Sequence, residues 1–126
     1  MTDRDKAWGS PPTARYDALA GVFRPVFAQV RKDAERRDLD RVLPFEAVDA
    51  LRHAGFSKLR LPKHHGGLGI TLPELFGLLI ELAEADPNLT NIFRSHIGFT
   101  EDLLNAPPHA ISWRDAWLAR LGKGDM

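Results

Sequence analysis

Cysteine is absent from all 126 residues, which excludes disulfide bonds, thiolate nucleophiles and cysteine metal ligands. Charge of a dominant sign is missing too, since 17 lysines and arginines stand against 17 aspartates and glutamates. A neutral chain projects no overall field toward nucleic acid or an anionic membrane, and neither is expected as a partner. There is no long hydrophobic run. The most apolar stretch, residues 75–83, is interrupted by Glu81 and is far too short to span a bilayer. Met1-Thr2-Asp3-Arg4-Asp5-Lys6 lacks the apolar segment of a secretory signal, so a cytoplasmic location is the expectation. No internal repeat is visible either.

What is present reads as helix. With 44% hydrophobic and 27% charged residues, the composition is that of one ordinary globular domain. Gly9, Ser10, Pro11 and Pro12 mark residues 1–12 as a flexible N-terminal arm, leaving 13–126 as the helical domain. From Thr13 an apolar stripe runs through Tyr16, Leu19, Ala20, Phe23, Phe27, Val30 and Ala34 at helical spacing. Pro25 lies inside it, and its ring and missing N–H predict a kink or a break. Arg31 to Arg41 is dense in charge of mixed sign, as a solvated helix end would be.

The stretch from Leu43 to Gly69 carries the most local information. Pro44 suits a first helical position, and Ala47, Val48, Leu51 and Ala54 follow at helical spacing. Gly55 can take the left-handed conformation that ends a helix, with Phe56 packing back on Leu51. Leu59-Arg60-Leu61 reads as extended up to Pro62. Gly66-Gly67-Leu68-Gly69 reads as a turn needing positive φ. It is no phosphate loop, because the third glycine of a dinucleotide fingerprint and a following lysine–serine/threonine pair are both missing.

Thr71 and Glu74 have the spacing of a capping box. The helix they open is apolar on almost every side, through Leu72, Leu75, Phe76, Leu78, Leu79, Ile80, Leu82 and Ala83, and is expected to be buried nearly all round. Gly77 within it would let a neighbour approach closely. After the turn Asp86-Pro87-Asn88, a second long helix is expected from about Leu89 to Leu104, ended by Pro107 and Pro108. Ser112 is expected to cap a last helix with an apolar stripe of Trp113, Ala116, Trp117 and Leu121. The fold class that follows is all-α, a bundle of about five to six helices.

Candidate chemistry is sparse. His64 and His65 are neighbours with no other ligand at metal spacing, so no metal site is expected and a solvent-facing loop accounts for them. Glu101 and Asp102 are adjacent and face different directions on a helix, which does not make an acid–base pair. Trp8 falls in the arm, whereas Trp113 and Trp117 fit a core or interface stripe. His96 lies on an apolar stripe between Phe93 and Thr100. The residues by themselves favour a buried histidine bonded to a carbonyl or hydroxyl.

The Leu43-Pro44 helix, the Ala54-Gly55 stop and the Pro62 loop ending in Gly66-Gly67-Leu68-Gly69 resemble the N-terminal helical domain of the acyl-CoA dehydrogenase family of flavoproteins. The resemblance runs roughly from Tyr16 to Gly124. Such enzymes continue into a β-rich middle domain and a C-terminal helical bundle, which supply most flavin contacts and usually the catalytic base. It therefore implies the N-terminal α-domain of an FAD-dependent oxidoreductase, a dehydrogenase or a flavin monooxygenase, inactive alone and forming one wall of the substrate pocket. FAD or FMN would be bound only by the full-length enzyme, whose substrate would be an acyl-CoA or another small molecule. The cofactor-binding residues are not identified.

Phe93-Arg94-Ser95-His96-Ile97-Gly98-Phe99 is similar to the cavity-bordering helix of flavin monooxygenases of the dibenzothiophene-monooxygenase-like group. That similarity implies a catalytic His96 near the reactive flavin carbon, with Phe93, Ser95 and Phe99 in the substrate pocket. The missing domains, or self-association through Phe93, Phe99 or the Trp113–Trp117 stripe, are the partners implied. The alternative is a free-standing helical module that binds a protein through the same uncovered surface.

Overall fold

Thr13 starts the first helix, its hydroxyl accepting the Tyr16 N–H at 3.1 Å. The computed structural model describes residues 12–107, 109–110 and 112–126; the expected arm, apart from Pro12, lies outside these, as do Trp8 and Pro108. Helix α1 (Ala14–Leu39) then runs unbroken for 26 residues with Pro25 inside it, so of the expected kink or break the break does not occur. The reason lies in the packing. Pro25 sits on the exposed side, while Tyr16, Ala20 and Phe23 before it and Phe27 and Val30 after it are buried in one core. Burial on both sides of the proline outweighs the roughly 3 kcal/mol that an interior proline costs.

Helix α2 (Phe45–His53) begins one residue later than the sequence suggests, with Pro44 as its N-cap instead of its first turn. Gly55 closes it in the left-handed conformation at φ 95°, and Phe56 enters the core beside Leu51. The segment Leu59–Leu61 is bent, not extended, with Leu59 in the helical region at φ −54° and ψ −49°. Two single-turn 3-10 helices, Phe56–Lys58 and Lys63–His65, flank it. Backbone bonds from Leu68, Gly69 and Ile70 to the carbonyls of Lys58, Leu61 and Leu59 satisfy this loop without building a strand. The turn reading of the glycines holds: Gly66 and Gly69 have φ of 86° and 62°. A Cβ on Gly67 would stand 2.1 Å from the Leu61 carbonyl oxygen, closer than any side chain permits.

Helix α3 (Leu72–Ala85) carries the capping box, the Glu74 N–H reaching the Thr71 hydroxyl at 3.3 Å and the Thr71 N–H reaching Glu74 at 3.1 Å. Burial alone would raise the Glu74 pKa, but bonds from the Thr71 hydroxyl and N–H, with Arg15 nearby, leave it below the ordinary glutamate value. Helix α4 (Pro87–Asn105) starts earlier than expected because Asp86 caps it, accepting from the Asn88 N–H at 3.0 Å, and Pro87 takes the first turn. Helix α5 (Arg114–Gly122) has Trp113 at its N-cap and no side-chain cap bond, so Ser112 does not cap it. Its buried residues are Leu118 and Leu121, whereas Trp113 is 49% exposed. Of the expected stripe, Leu121 is buried in a second core cluster and Trp117 packs against that cluster, while Trp113 is turned outward.

Among the described residues the elements are helices and turns only, as an all-α bundle requires. Phe56 sits at the centre of the main core. Its ring meets those of Phe23, Phe27 and Phe93 edge-on at 5.5, 5.9 and 5.1 Å. Gly77 lets α1 close on α3, since a Cβ there would lie 2.5 Å from the Tyr16 ring. Beside it the Tyr16 hydroxyl donates to buried Glu81 at 2.7 Å, and Arg24 Nε donates to the same carboxylate at 3.0 Å. The Glu81 bond raises the Arg24 pKa further, against the opposing effect of burial. At the other end of α1, Arg37 pairs with Asp86 at 2.8 Å and so fixes the start of α4.

Candidate functional site: an open groove between α3 and α4

The apolar excess of α3 is only partly buried, which corrects the expectation of burial all round. Leu75, Leu78 and Leu82 face the core, but Leu72, Phe76 and Ile80 are 45%, 59% and 46% exposed. These three recur every four residues, so they form one outward stripe. Next to it α4 presents Thr90, Asn91, Arg94 and Ile97, and between the two helices lies a groove of 490 Å³. Leu75, Phe76, Leu79, Ala83 and Ile97 make its walls apolar, and Gly98 leaves its far end clear of side chain. Arg94 is the one charged residue lining it, and it has no carboxylate within ion-pair distance among the described residues. An apolar trough with a single cation at its rim suits a ligand or a docking element that is itself mostly apolar.

A second apolar area adjoins this one. Leu39, Val42, Leu43 and Phe45 are 74%, 55%, 68% and 71% exposed, around the joint where Arg41 takes a φ of 54°. A recess of 410 Å³ there includes Val42, Leu43 and Ile92 and shares Asn91 with the groove. Arg37, Asp38, Arg41, Asp86, Asn88 and Asn91 also line this recess, so polar side chains separate the two apolar areas. Isolated exposed leucines are ordinary, but contiguous ones mark surfaces that other structure covers.

The residues singled out from sequence lie elsewhere. Phe93 is fully enclosed, its ring against Phe56, so it faces the core instead of an open pocket. Ser95 is exposed, and Phe99 is half-buried against Trp113 and Trp117 with ring centroids 6.3 and 5.4 Å away. His96 is 8% exposed and faces the turn after α2, its Nε2 donating to the Ser57 carbonyl at 2.6 Å. The Thr100 hydroxyl donates to the His96 carbonyl at 2.9 Å one turn on. Thus Phe93, Ser95, His96 and Phe99 are neighbours in sequence that fan around α4, while Arg94, Ile97 and Gly98, interleaved with them, line the groove. The signal for the groove was the apolar excess of α3, which exceeds what one core can cover.

One further polar cluster ties elements together. Glu101 is half-buried and pairs with Arg60, which also donates to the Ile70 carbonyl. The pair ties α4 to the loop before α3. Among the described residues no group of three histidine, cysteine, aspartate or glutamate side chains could hold a metal ion. No described helix is long and apolar enough to cross a membrane.

The domain is thus all-α, with a close-packed aromatic core and an apolar groove between α3 and α4. The comparison with known families names the class. A model of the acyl-CoA dehydrogenase N-terminal domain matches residues 16–125, and the chain belongs to that family. Neither the curated proteins nor the solved structures contain a match to it.

Proposed function

We propose that this chain is the N-terminal α-domain of an FAD-dependent acyl-CoA dehydrogenase-like oxidoreductase, a dehydrogenase or a flavin monooxygenase, and that the α3–α4 groove is its wall of the substrate pocket. The observation that carries the reading is the groove itself: 490 Å³ of apolar trough on a domain of this family. Such a wall would bind the apolar part of a substrate and exclude water from it. Chemistry would come from groups outside these residues, so the chain alone is inert.

The flavin does not fit here. The one loop rich in glycine has its Gly67 Cβ position filled by the Leu61 carbonyl and its Gly66 position against Gly122, which leaves no open backbone cradle of the dinucleotide-loop kind. The groove offers a single cation, Arg94, where a dinucleotide carries two phosphates. On this reading most flavin contacts come from the covering domains.

His96 enters this reading as a positioning residue. Its Nε2 bond to Ser57 holds α4 against the Phe56 turn, and so sets the angle of the helix that presents Arg94 and Ile97. An acid–base part toward a bound flavin is the competing assignment, and it would require the Nε2 proton to be free of the Ser57 carbonyl. The second functional reading, a free-standing interaction module, draws on the exposure of Leu39, Leu43 and Phe45.

Photolabelling decides between the two functional readings. An acyl thioester carrying a diazirine on its chain should label peptides covering residues 72–98, and Phe76→Glu should abolish that labelling. Labelling spread evenly, or confined to residues 39–45, would sink the pocket-wall reading. Titration with FAD should give no bound-flavin spectrum; a stoichiometric one would refute the inert-alone reading.

A further inference from the structure

Three separated segments that together carry five basic residues come together where α5 ends. Gly122 lies so close to the Lys63–His65 turn that a Cβ on it would stand 2.1 Å from the His65 carbonyl oxygen. From the other side, a Cβ on Gly66 would stand 3.3 Å from the Gly122 carbonyl oxygen. Two residues on, Gly124 faces the Lys58 side chain, whose Cε lies 3.9 Å from the glycine's Cβ position. Arg52 reaches the same point and donates to the Gly124 carbonyl at 2.9 Å. Lys58, Lys63, His64, His65 and Lys123 are thereby gathered at one end of the domain, with the two imidazole rings 4.3 Å apart.

The carboxylates close by are engaged. Asp49 pairs with Arg52 at 3.4 Å and Asp125 with Arg120 at 2.7 Å. Lys58, Lys63 and Lys123 have no carboxylate within ion-pair distance among the described residues. Part of this has a local cause, because the C-terminus of a helix attracts cations with about half a unit of negative charge. That half charge at the end of α5 offsets one ammonium at most, not three. Glycines at 66 and 122 permit the close approach that concentrates them, and the chain as a whole has an aspartate or glutamate for every lysine and arginine. Gathering unpaired like charges opposes folding, so a ligand that neutralises them is the economical explanation.

We propose that this face binds an oligophosphate group, pyrophosphate or longer. Lysine ammoniums contact phosphate oxygens as point charges, and three of them match a multiply charged chain better than a single orthophosphate. The face shares no residue with the α3–α4 groove, so it stands or falls independently of the pocket-wall reading.

Calorimetric titration of the 126-residue chain with inorganic tripolyphosphate tests it, at low salt and again at higher salt. One saturable site is expected, weakening as salt rises. Lys58→Gln, Lys63→Gln and Lys123→Gln together should weaken it by about tenfold or more, the scale of losing charge-assisted phosphate contacts. A control with Lys32→Gln, Arg36→Gln and Arg41→Gln removes the same charge from exposed positions elsewhere and should change affinity by less than about twofold. Circular dichroism checks that both variants stay folded. Absence of a saturable site, equal weakening in the two variants, or orthophosphate binding as tightly as tripolyphosphate would each overturn the proposal.

Discussion

Replacing His96 by leucine keeps most of the side-chain volume and removes the donor that satisfies the Ser57 carbonyl. That carbonyl belongs to a buried residue, and the 2.6 Å bond from Nε2 is its partner in the structure. An orphaned buried acceptor costs about 1–3 kcal/mol. Alanine adds the loss of ring packing beside Phe56 and Thr100, a further ~1 kcal/mol or more for the cavity. His96→Leu should therefore be destabilised by about 1–3 kcal/mol, and His96→Ala by more. His96→Gln, which keeps an N–H donor, should recover part of the loss. Urea unfolding followed by tryptophan fluorescence measures all three, provided the slope m is unchanged so that midpoints compare directly. If His96→Leu unfolds at the wild-type midpoint, the bond to Ser57 contributes nothing and the positioning role fails. If, in addition, a full-length enzyme carrying the change loses turnover by about tenfold or more, His96 is an acid–base group instead.

Three other outcomes follow from the geometry. Phe76→Glu should leave stability within about 0.5 kcal/mol, because the ring is exposed, yet lower the uptake of an apolar dye; unchanged uptake would mean the groove is not the sticky surface. Gly77→Ala should destabilise by about 1–3 kcal/mol as its methyl meets the Tyr16 ring, and a wild-type unfolding midpoint would show that α1 shifts freely on α3. Thr71→Ala should cost about 1 kcal/mol at neutral pH. The depressed Glu74 pKa makes that contribution fully present above the unfolded-state value and lost as pH falls through the folded one. The gap between wild type and Thr71→Ala should accordingly narrow in acid, and a gap that widens there would refute the linkage.

Local chemistry was legible from the sequence. The Thr71–Glu74 box, the Gly55 stop, the glycine turn and the close approach at Gly77 each depend on residues near in the chain or on a missing Cβ, and each stands as read. Helix ends were less so. Pro44 and Ser112 were read as helix starts and Asp86 as part of a turn, and the true boundaries were set by which backbone groups found partners.

What the amino-acid sequence determined by itself was the all-α class, since hydrophobic periodicity belongs to the chain. Tertiary structure alone decided which apolar residues are inside. Phe93 and Phe76 are equally hydrophobic, yet one is enclosed by Phe56 and the other faces the groove. It also decided that Pro25 would be carried through α1, that Trp113 would turn outward, and that Ser57, 39 positions away, would hold His96. Burial is a property of the neighbours a residue meets, and those neighbours are brought together only when the helices pack.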